Sequence, residues 1–300
     1  MPVRWIALGL VVLLVGCVTP WLPSVVVDSR VGAQLSTRQR HGIFLATVRI
    51  GDREAGPFIL DTGASHLVLD VELARTLGLR AWAASQDRAT GATATFVTVP
   101  ALRAGRVTMR NMTAVVTDLS AVASALGERP AGLLGHPFFA KAVVEFDYRR
   151  RAVACFAPGT YGLAEEHWQE LRFKGELPAM VGRLDGNAEG EFLLDTGSTA
   201  LVYLTSTFIR KHVFLDIRDI RPAREVRLTG ERDTFQGVIG WFELGGHRLE
   251  RPRITFSREA HAADVDATAA LDGIVGHGLL QRFVVVFNYP EARIALLRNR

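Results

Sequence analysis

Two aspartates occupy the same place in two copies of one eight-residue stretch. The first copy, FILDTGAS, covers residues 58–65, and the second, FLLDTGST, covers residues 192–199. Two carboxylates held close together in a restricted site cannot both ionise easily, so such a pair keeps one proton over a broad acidic to near-neutral range. The charged member can take a proton from a water molecule while the protonated member activates a carbonyl group. This chemistry hydrolyses an amide without a metal or a covalent intermediate.

The residues beside each aspartate suit that chemistry. We expect Gly63 and Gly197 to permit a tight turn that brings backbone N–H groups near the carboxylates. The hydroxyls of Thr62 and Thr196 can brace the two loops against each other, and the apolar triplet before each aspartate anchors it in a core. The other candidate support residues of the two loops are Ala64, Ser65, Ser198 and Thr199.

The two loops belong to a longer duplication. The copies are 134 residues apart at Asp61 and Asp195, the catalytic candidates. Residues 132–136, GLLGH, match residues 273–277, GIVGH, at an offset of 141 residues. Small loop insertions explain that drift. Two copies at this period predict a tandem pair of lobes of about 115 to 130 residues each, not a solenoid.

Short strands with turn signals dominate both copies. Ile43–Ile50 alternates apolar and polar residues, and residues 143–146 and 152–156 predict a closing hairpin. Residues 71–79 have helical spacing and predict one short helix. Residues 163–171 predict a short amphipathic helix in the connection between the copies. The predicted class is therefore all-β, with two tandem lobes, a pseudo-twofold axis and few short helices.

The amino terminus has the charge-then-apolar order of a secretory signal. Arg4 precedes an uncharged apolar run over residues 5–16, and the run ends in LVGC, which resembles a bacterial lipobox. In this interpretation Cys17 is lipidated after removal of the leader, and Val18 in place of Asp favours the outer membrane. The alternative is an uncleaved anchor, although the run is shorter than the ~20 residues that a span needs. Both alternatives predict an exported, membrane-tethered protein on the periplasmic side of a bacterial cell envelope.

The predicted division of the chain follows from these signals. Residues 1–17 are a lipoprotein-type signal peptide, and residues 18–41 are a tether whose valines at 25–27 can add a strand to the folded body. Residues 42–157 form the first lobe, residues 158–171 the linker, and residues 172–300 the second lobe.

The composition excludes several other functions. A net charge of +4 with dispersed arginines argues against nucleic acid as a partner, and residues 149–151 predict a solvated turn. No His-Glu-x-x-His, Gly-x-Ser-x-Gly, P-loop or dinucleotide motif occurs, so we expect no metal and no cofactor. His136 and His277 hold matching positions and are predicted to start helices or to support structure. Cys155 is predicted to be a small buried hydrophobic residue, with no disulfide to Cys17.

The loop FILDTGAS, followed about seventy residues later by GLLG, resembles the pepsin and retropepsin class of aspartic proteases. The resemblance covers about residues 42–157 and 172–300, which is almost the whole of the predicted exported chain, and it is closest to the bacterial retropepsin-like branch. It implies a pepsin-like arrangement with both lobes in one chain. It also implies that residues 133–135 and 274–276 thread beside the two catalytic loops.

In that family a β-hairpin flap closes over the substrate. The resemblance places flap residues at Thr90 and Gly91 in the first copy and at Thr229 and Gly230 in the second. Pepsin-like flaps usually carry a tyrosine near the tip, whereas here Phe96 is the nearest aromatic residue to a predicted flap.

A second departure lies in the catalytic loops themselves. The first copy has Ala64 where the second has Ser198, whose hydroxyl would donate to the outer oxygen of Asp195. We therefore expect an asymmetric pair that works at milder acidity than pepsin.

Two functions follow from the sequence. The first is an aspartic endopeptidase that cuts peptides or proteins in the cell envelope, as a monomeric two-lobed unit. The second is a non-catalytic lipoprotein that holds an extended peptide in the same cleft.

Overall fold

The computed structural model describes residues 4–6, 23–27, 32–86, 93–213, 215–227, 230–257 and 271–298. The helices are α1 (Val71–Thr76), α2 (Ser120–Leu126), α3 (His136–Phe139), α4 (Ser206–Lys211) and α5 (His277–Leu280). The strands up to the end of the first repeat are β1 (Arg4–Ile6), β2 (Ser24–Val27), β3 (Ala33–Gln34), β4 (Thr37–Arg40), β5 (Ile43–Ile50), β6 (Arg53–Leu60), β7 (Leu67–Asp70), β8 (Ala81–Gln86), β9 (Thr93–Ala104), β10 (Val107–Thr117), β11 (Gly132–Leu134), β12 (Val143–Asp147) and β13 (Ala152–Phe156). The later strands are β14 (Gln169–Glu170), β15 (Arg172–Lys174), β16 (Leu177–Leu184), β17 (Ala188–Leu194), β18 (Val202–Leu204), β19 (Arg218–Arg227), β20 (Gly230–Val238), β21 (Trp241–Leu244), β22 (His247–Glu250), β23 (Arg253–Phe256), β24 (Gly273–Val275), β25 (Phe283–Asn288) and β26 (Arg293–Arg298).

The first lobe is built on a nine-stranded sheet with the order β2-β10-β7-β11-β6-β5-β9-β8, and β4 pairs with β5. Strand β11 is central, because it pairs in parallel with β6 and antiparallel with β7. The register joins Gly132 to Phe58 and Leu134 to Leu60. The chain therefore leaves β6 for the first aspartate loop beside the carboxyl end of β11.

The second lobe repeats this arrangement within an eleven-stranded sheet. Its order is β1-β19-β20-β23-β18-β24-β17-β16-β21-β22, and β15 pairs with β16. Strand β24 again lies parallel to the strand before the aspartate loop, β17, and antiparallel to the strand after it, β18. The two lobes therefore share one local topology around each aspartate, as the duplication predicts.

A six-stranded sheet joins the two lobes, with the order β14-β26-β25-β12-β13-β3. We call it the interlobe sheet. At its centre β12 of the first lobe pairs antiparallel with β25 of the second, from Val143 opposite Asn288 to Asp147 opposite Val284. The closing hairpin predicted for the first lobe is confirmed as β12 and β13.

Part of the predicted tether is folded onto the body. Within residues 18–41, β2 pairs with β10, β3 with β13 and β4 with β5. Leu35 is only 5% exposed and lies in the main core, which explains why this segment packs against the first lobe and is not an extended tether. The valine strand predicted at 25–27 is thus confirmed. Of the predicted leader, the strand Arg4–Ile6 is described and pairs with β19, whereas Cys17 lies outside the described residues.

The helix predicted for residues 163–171 is wrong. The segment contains a single 3-10 turn at Glu165–His167 and then the strand β14, which adds to the edge of the interlobe sheet against β26. Trp168 packs on that sheet, and Leu171 is buried in the main core. The apolar residues thus serve two different surfaces, which one helical face could not do.

The all-β, two-lobed class with few short helices is confirmed, and so is the predicted short helix, as α1. The sequence did not predict α2 or α4. None of the helices within the described ranges is long and apolar enough to cross a membrane.

Candidate active site

The structure brings the two repeated aspartates together at the junction of the lobes. Asp61 directly follows β6 and Asp195 directly follows β17. The backbone N–H of Asp61 donates to the carbonyl of Leu134 at 3.1 Å, and that of Asp195 donates to Val275 at 2.9 Å. Both aspartates are fully buried. Matching backbone hydrogen bonds therefore hold each aspartate at the end of the central strand of its lobe, Asp61 beside β11 and Asp195 beside β24.

Each glycine of the two loops lies against the carboxyl group of the opposite lobe. A Cβ placed on Gly63 would be 2.6 Å from Cγ of Asp195, and a Cβ on Gly197 would be 2.6 Å from Cγ of Asp61. The predicted tight turns are confirmed, since the N–H of Ala64 donates to the carbonyl of Asp61 at 3.3 Å and that of Ser198 donates to the carbonyl of Asp195 at 3.2 Å. Neither glycine has a positive φ, so the close approach of the opposite carboxyl group, and not the turn, requires glycine. Each glycine N–H also donates to the carboxylate of its own loop at 2.8 Å. The two carboxyl groups are thus neighbours, each in contact with the glycine of the opposite loop.

The predicted threonine brace is confirmed. Thr62 Oγ1 donates to the carbonyl of Leu194 at 2.6 Å, and Thr196 Oγ1 donates to the carbonyl of Leu60 at 2.7 Å. Each hydroxyl also accepts the backbone N–H of the other threonine, at 3.0 and 3.1 Å. All of these bonds cross between the lobes in a buried place, so they hold the two loops in register.

Replacement of Thr62 by Ala should weaken the fold measurably. The change leaves the Leu194 carbonyl and the Thr196 N–H buried without partners, which costs about 2 kcal/mol or more in the free energy of unfolding. Urea titration measures this loss. Thr62→Ser is the matched control, because it keeps the hydroxyl and should retain most of the stability. Equal losses in the two variants would contradict a hydrogen-bonded brace.

Burial and mutual repulsion set the protonation of the pair. The pKa of Asp61 is raised well above its usual 3.8, first by burial and next by the negative charge of Asp195. The backbone N–H groups of Gly63 and Ala64 oppose this rise. Asp61 therefore keeps a proton at pH values where an exposed aspartate has lost it, as the shared-proton chemistry requires.

This raised pKa predicts a pH-dependent stability. Between pH 3.8 and the folded-state pKa of Asp61, the folded chain binds more protons than the unfolded chain, so stability falls as pH rises through that window. Asp61→Asn removes this loss. The variant should melt at a higher temperature than the wild type near neutral pH, and the difference should shrink towards pH 3.8. Scanning calorimetry across this range measures it, and a difference independent of pH would contradict the assignment.

The small residues of the loops have distinct partners. Ser65 is buried, and its hydroxyl shares a hydrogen bond with Nδ1 of His66 at 2.8 Å. The hydroxyl of Ser198 accepts the backbone N–H of Ala200 at 3.3 Å. Its expected donation to the outer oxygen of Asp195 stays a prediction. Thr199 and Ala64 complete the loops, the first half-buried and the second fully buried.

Helix α2 packs against the first aspartate loop, and the sequence analysis did not predict this helix. Its Val122 and Leu126 pack in one buried cluster with Ala64 and with Leu133 of β11. The signal that could have found it is Gly127, whose left-handed backbone ends the helix.

The two Gly-x-x-Gly segments thread beside the loops, as the resemblance implies. The N–H of His136 donates to the carbonyl of Ala64, and that of His277 donates to the carbonyl of Ser198, both at 2.7 Å. A Cβ on Gly135 would lie 2.4 Å from the Ala64 carbonyl oxygen, so this contact requires glycine. Both histidines begin helices, α3 and α5, which confirms that prediction.

The predicted flap residues fall mostly outside the described residues. Thr90, Gly91 and Thr229 lie there, and Gly230 is the first residue of β20. The strands on either side form antiparallel pairs, β8 with β9 and β19 with β20. The paired strands of both predicted hairpins are therefore present, while the flap role of Thr90, Gly91, Thr229 and Gly230 stays a prediction. The ring of Phe96 on β9 lies 6.5 Å from the ring of His66.

The side chains that could bind a metal ion are not clustered in the described part of the chain. Within the part of the chain that the structure describes, no three His, Cys, Asp or Glu side chains are grouped so as to hold a metal ion. Cys155 is buried and free, and burial raises the pKa of its thiol to about 12. It is thus an inert core residue, as expected.

Comparison with known proteins gives one family match. Residues 46–138 match the family model described as aspartyl protease. This segment includes the Asp61 loop and the first Gly-x-x-Gly segment. The resemblance to aspartic proteases is therefore confirmed, and the first lobe carries it; the Asp195 loop lies outside the matched residues. No curated protein matches the chain.

A search of solved structures returned the crystal structure of basic 7S globulin from soybean. The alignment covers 89% of this chain and 94% of that chain, with 10% sequence identity and a TM-score of 0.48. The matched family and the paired carboxyl groups together support a protease-type function.

Proposed function

We propose that the chain is an aspartic endopeptidase whose catalytic residues are Asp61 and Asp195. One observation carries the proposal: each loop glycine contacts the carboxyl group of the opposite lobe. A Cβ added to either glycine would lie 2.6 Å from Cγ of the opposite aspartate, so the two carboxyl groups are neighbours. In this mechanism the ionised carboxyl takes a proton from a water molecule held between the pair. The oxygen of that water bonds to the carbon of the scissile carbonyl, while the protonated carboxyl donates its proton to the carbonyl oxygen. The tetrahedral intermediate then returns that proton and breaks its C–N bond, and the amine leaves with the proton that the first carboxyl took from the water.

The buried setting favours this reaction. A low local dielectric strengthens the hydrogen bonds to the developing oxyanion and keeps one proton on the pair. Both aspartates are fully buried in this conformation, so a substrate enters only when the hairpins or the lobes open. Peptides and unfolded proteins fit such a cleft, because an extended chain can pair with the hairpin strands.

The proposed location is the bacterial cell envelope. It is supported by the apolar run over residues 5–16 and by the lipobox-like LVGC that ends at Cys17. We propose that this end is either lipidated at Cys17 or kept as an anchor, with the folded body on the periplasmic side. Mass spectrometry of the mature amino terminus distinguishes the two alternatives.

Hydrolysis of an unfolded protein by the purified chain tests the proposed activity. We expect cleavage at mildly acidic pH, inhibited by a statine-type mimic of the tetrahedral intermediate. Chelators should leave the rate unchanged. Tight binding of peptides with no cleavage at any pH would instead establish the second function, a peptide-binding lipoprotein that uses the same cleft.

A further inference from the structure

A layer of aromatic side chains covers the inner face of the interlobe sheet. Phe146 on β12 and Phe287 on β25 meet at its centre, with ring centroids 5.9 Å apart. Phe139 of α3 contacts both rings, and Phe44 of β5 contacts Phe146. All four phenylalanines are buried in the main core. This layer offers no polar atom of its own to the carboxyl pair.

Two tyrosines end this layer at matching places in the repeat. Tyr148 directly follows β12, and Tyr289 directly follows β25, after the sequences Phe-Asp and Phe-Asn. Each tyrosine is only 6% exposed. Neither hydroxyl has a hydrogen-bond partner among the described residues. A buried hydroxyl is costly without a partner, so two at equivalent positions point to a shared role.

Each tyrosine reaches the catalytic loop of the opposite lobe through a histidine. The ring of Tyr148 lies 5.5 Å from that of His277, and the ring of Tyr289 lies 5.6 Å from that of His136. Those histidines donate backbone hydrogen bonds to the two loops, at Ser198 and Ala64. The tyrosines are thus packed against the supports of both aspartates.

The charged groups that face the tyrosines include the carboxyl pair itself. The charge of Asp195 adds to burial in raising the pKa of Tyr148, and both Asp61 and Asp195 do so for Tyr289. The other titratable groups here are the rings of His277, whose pKa is lowered by burial, and of His136. His136 Nδ1 is bonded to the carbonyl of Glu176, whose buried Oε2 has no partner among the described residues.

We propose that Tyr148 and Tyr289, at the ends of β12 and β25, are positioning residues that stabilise the singly ionised carboxyl pair. Their hydroxyls supply the hydrogen-bond donors that the aromatic layer lacks, through an internal water of the kind that buried polar groups bind. This role rests on the proposed function and deepens it, since it sets the pH range in which the pair holds one proton.

Replacement of the hydroxyls tests this role. Removing a donor from the anion raises the pH at which the pair first ionises. In Tyr148→Phe and in Tyr289→Phe, the acid limb of the plot of kcat/KM against pH should move upward by about half a pH unit. This corresponds to a roughly threefold loss of kcat/KM at a given pH on that limb, and the double variant should shift further. Tyr161→Phe is the matched control. Its hydroxyl bonds Glu145 at 2.6 Å on the other face of the sheet, so its profile should stay at the wild-type position.

A second measurement does not depend on activity. The stability difference between each protein and its Asp61→Asn counterpart appears over the pH range in which the pair ionises. Its midpoint should move upward in the Tyr→Phe backgrounds. If neither the midpoint nor the acid limb moves in the double variant, the tyrosines are only packing residues and the inference is wrong. If the wild type cuts nothing but the midpoint still moves, the proposed peptidase fails while the role of the tyrosines stands.

Discussion

Asp61→Asn and Asp195→Asn should each lower kcat on a peptide substrate by at least about 10³-fold, with little change in KM. Each substitution keeps the size of the side chain but removes one half of the acid–base pair. An asparagine at Asp61 can neither hold the raised-pKa proton nor return it, and an asparagine at Asp195 leaves no anion to take the proton from water. Single-turnover kinetics on an unfolded protein measures the loss without interference from product release.

The matched control is Asp52→Asn, in the exposed turn between β5 and β6. It removes a carboxylate from the same lobe and should keep the wild-type rate. Both catalytic-site variants should remain folded, with hydrogen exchange in the interlobe sheet like that of the wild type. Folded Asn variants that cut as fast as the wild type would contradict the assignment of Asp61 and Asp195 as the catalytic pair.

Much of this site could be predicted because its sequence motifs occur in both repeats of the chain. The aspartate loops, the threonine brace and the Gly-x-x-Gly segments each recur with nearly constant spacing, so a local pattern in one lobe is checked by the other. The brace followed from residue types alone, since two hydroxyls beside two paired aspartates have few other partners. The reason for Gly63 and Gly197 did not follow, because the contact that requires them comes from the opposite lobe.

The sequence also did not predict the role of the two tyrosines that follow β12 and β25. Tyr148 and Tyr289 were visible as repeated residues, but their contacts with His277 and His136 depend on the register of β12 against β25, which joins residues about 140 positions apart. Local patterning also misled at residues 163–171, where helical spacing reflects two separate packing surfaces. Interlobe contacts thus account for both kinds of failure.

Gly63→Ala should lower kcat by about 10²-fold or more and destabilise the fold by about 1–3 kcal/mol. The new methyl group would lie 2.6 Å from Cγ of Asp195 and 2.8 Å from both carboxylate oxygens, which is closer than real contacts allow. The lobes must therefore separate or the carboxyl group must turn, and either change spoils the geometry of the pair. Gly197→Ala should behave alike, through Asp61. Gly162→Ala in the linker, where an added Cβ meets nothing within 4 Å, should be neutral.

A double-mutant cycle separates this contact from any local preference for glycine. All three atoms nearest to the added methyl group belong to the Asp195 side chain beyond Cβ. In an Asp195→Ala background, Gly63→Ala should therefore cost much less in the free energy of unfolding than it does in the wild type. If the two costs are equal, the loop needs glycine for its own conformation. In that case the reciprocal contact of the lobes is not what selects glycine beside each aspartate.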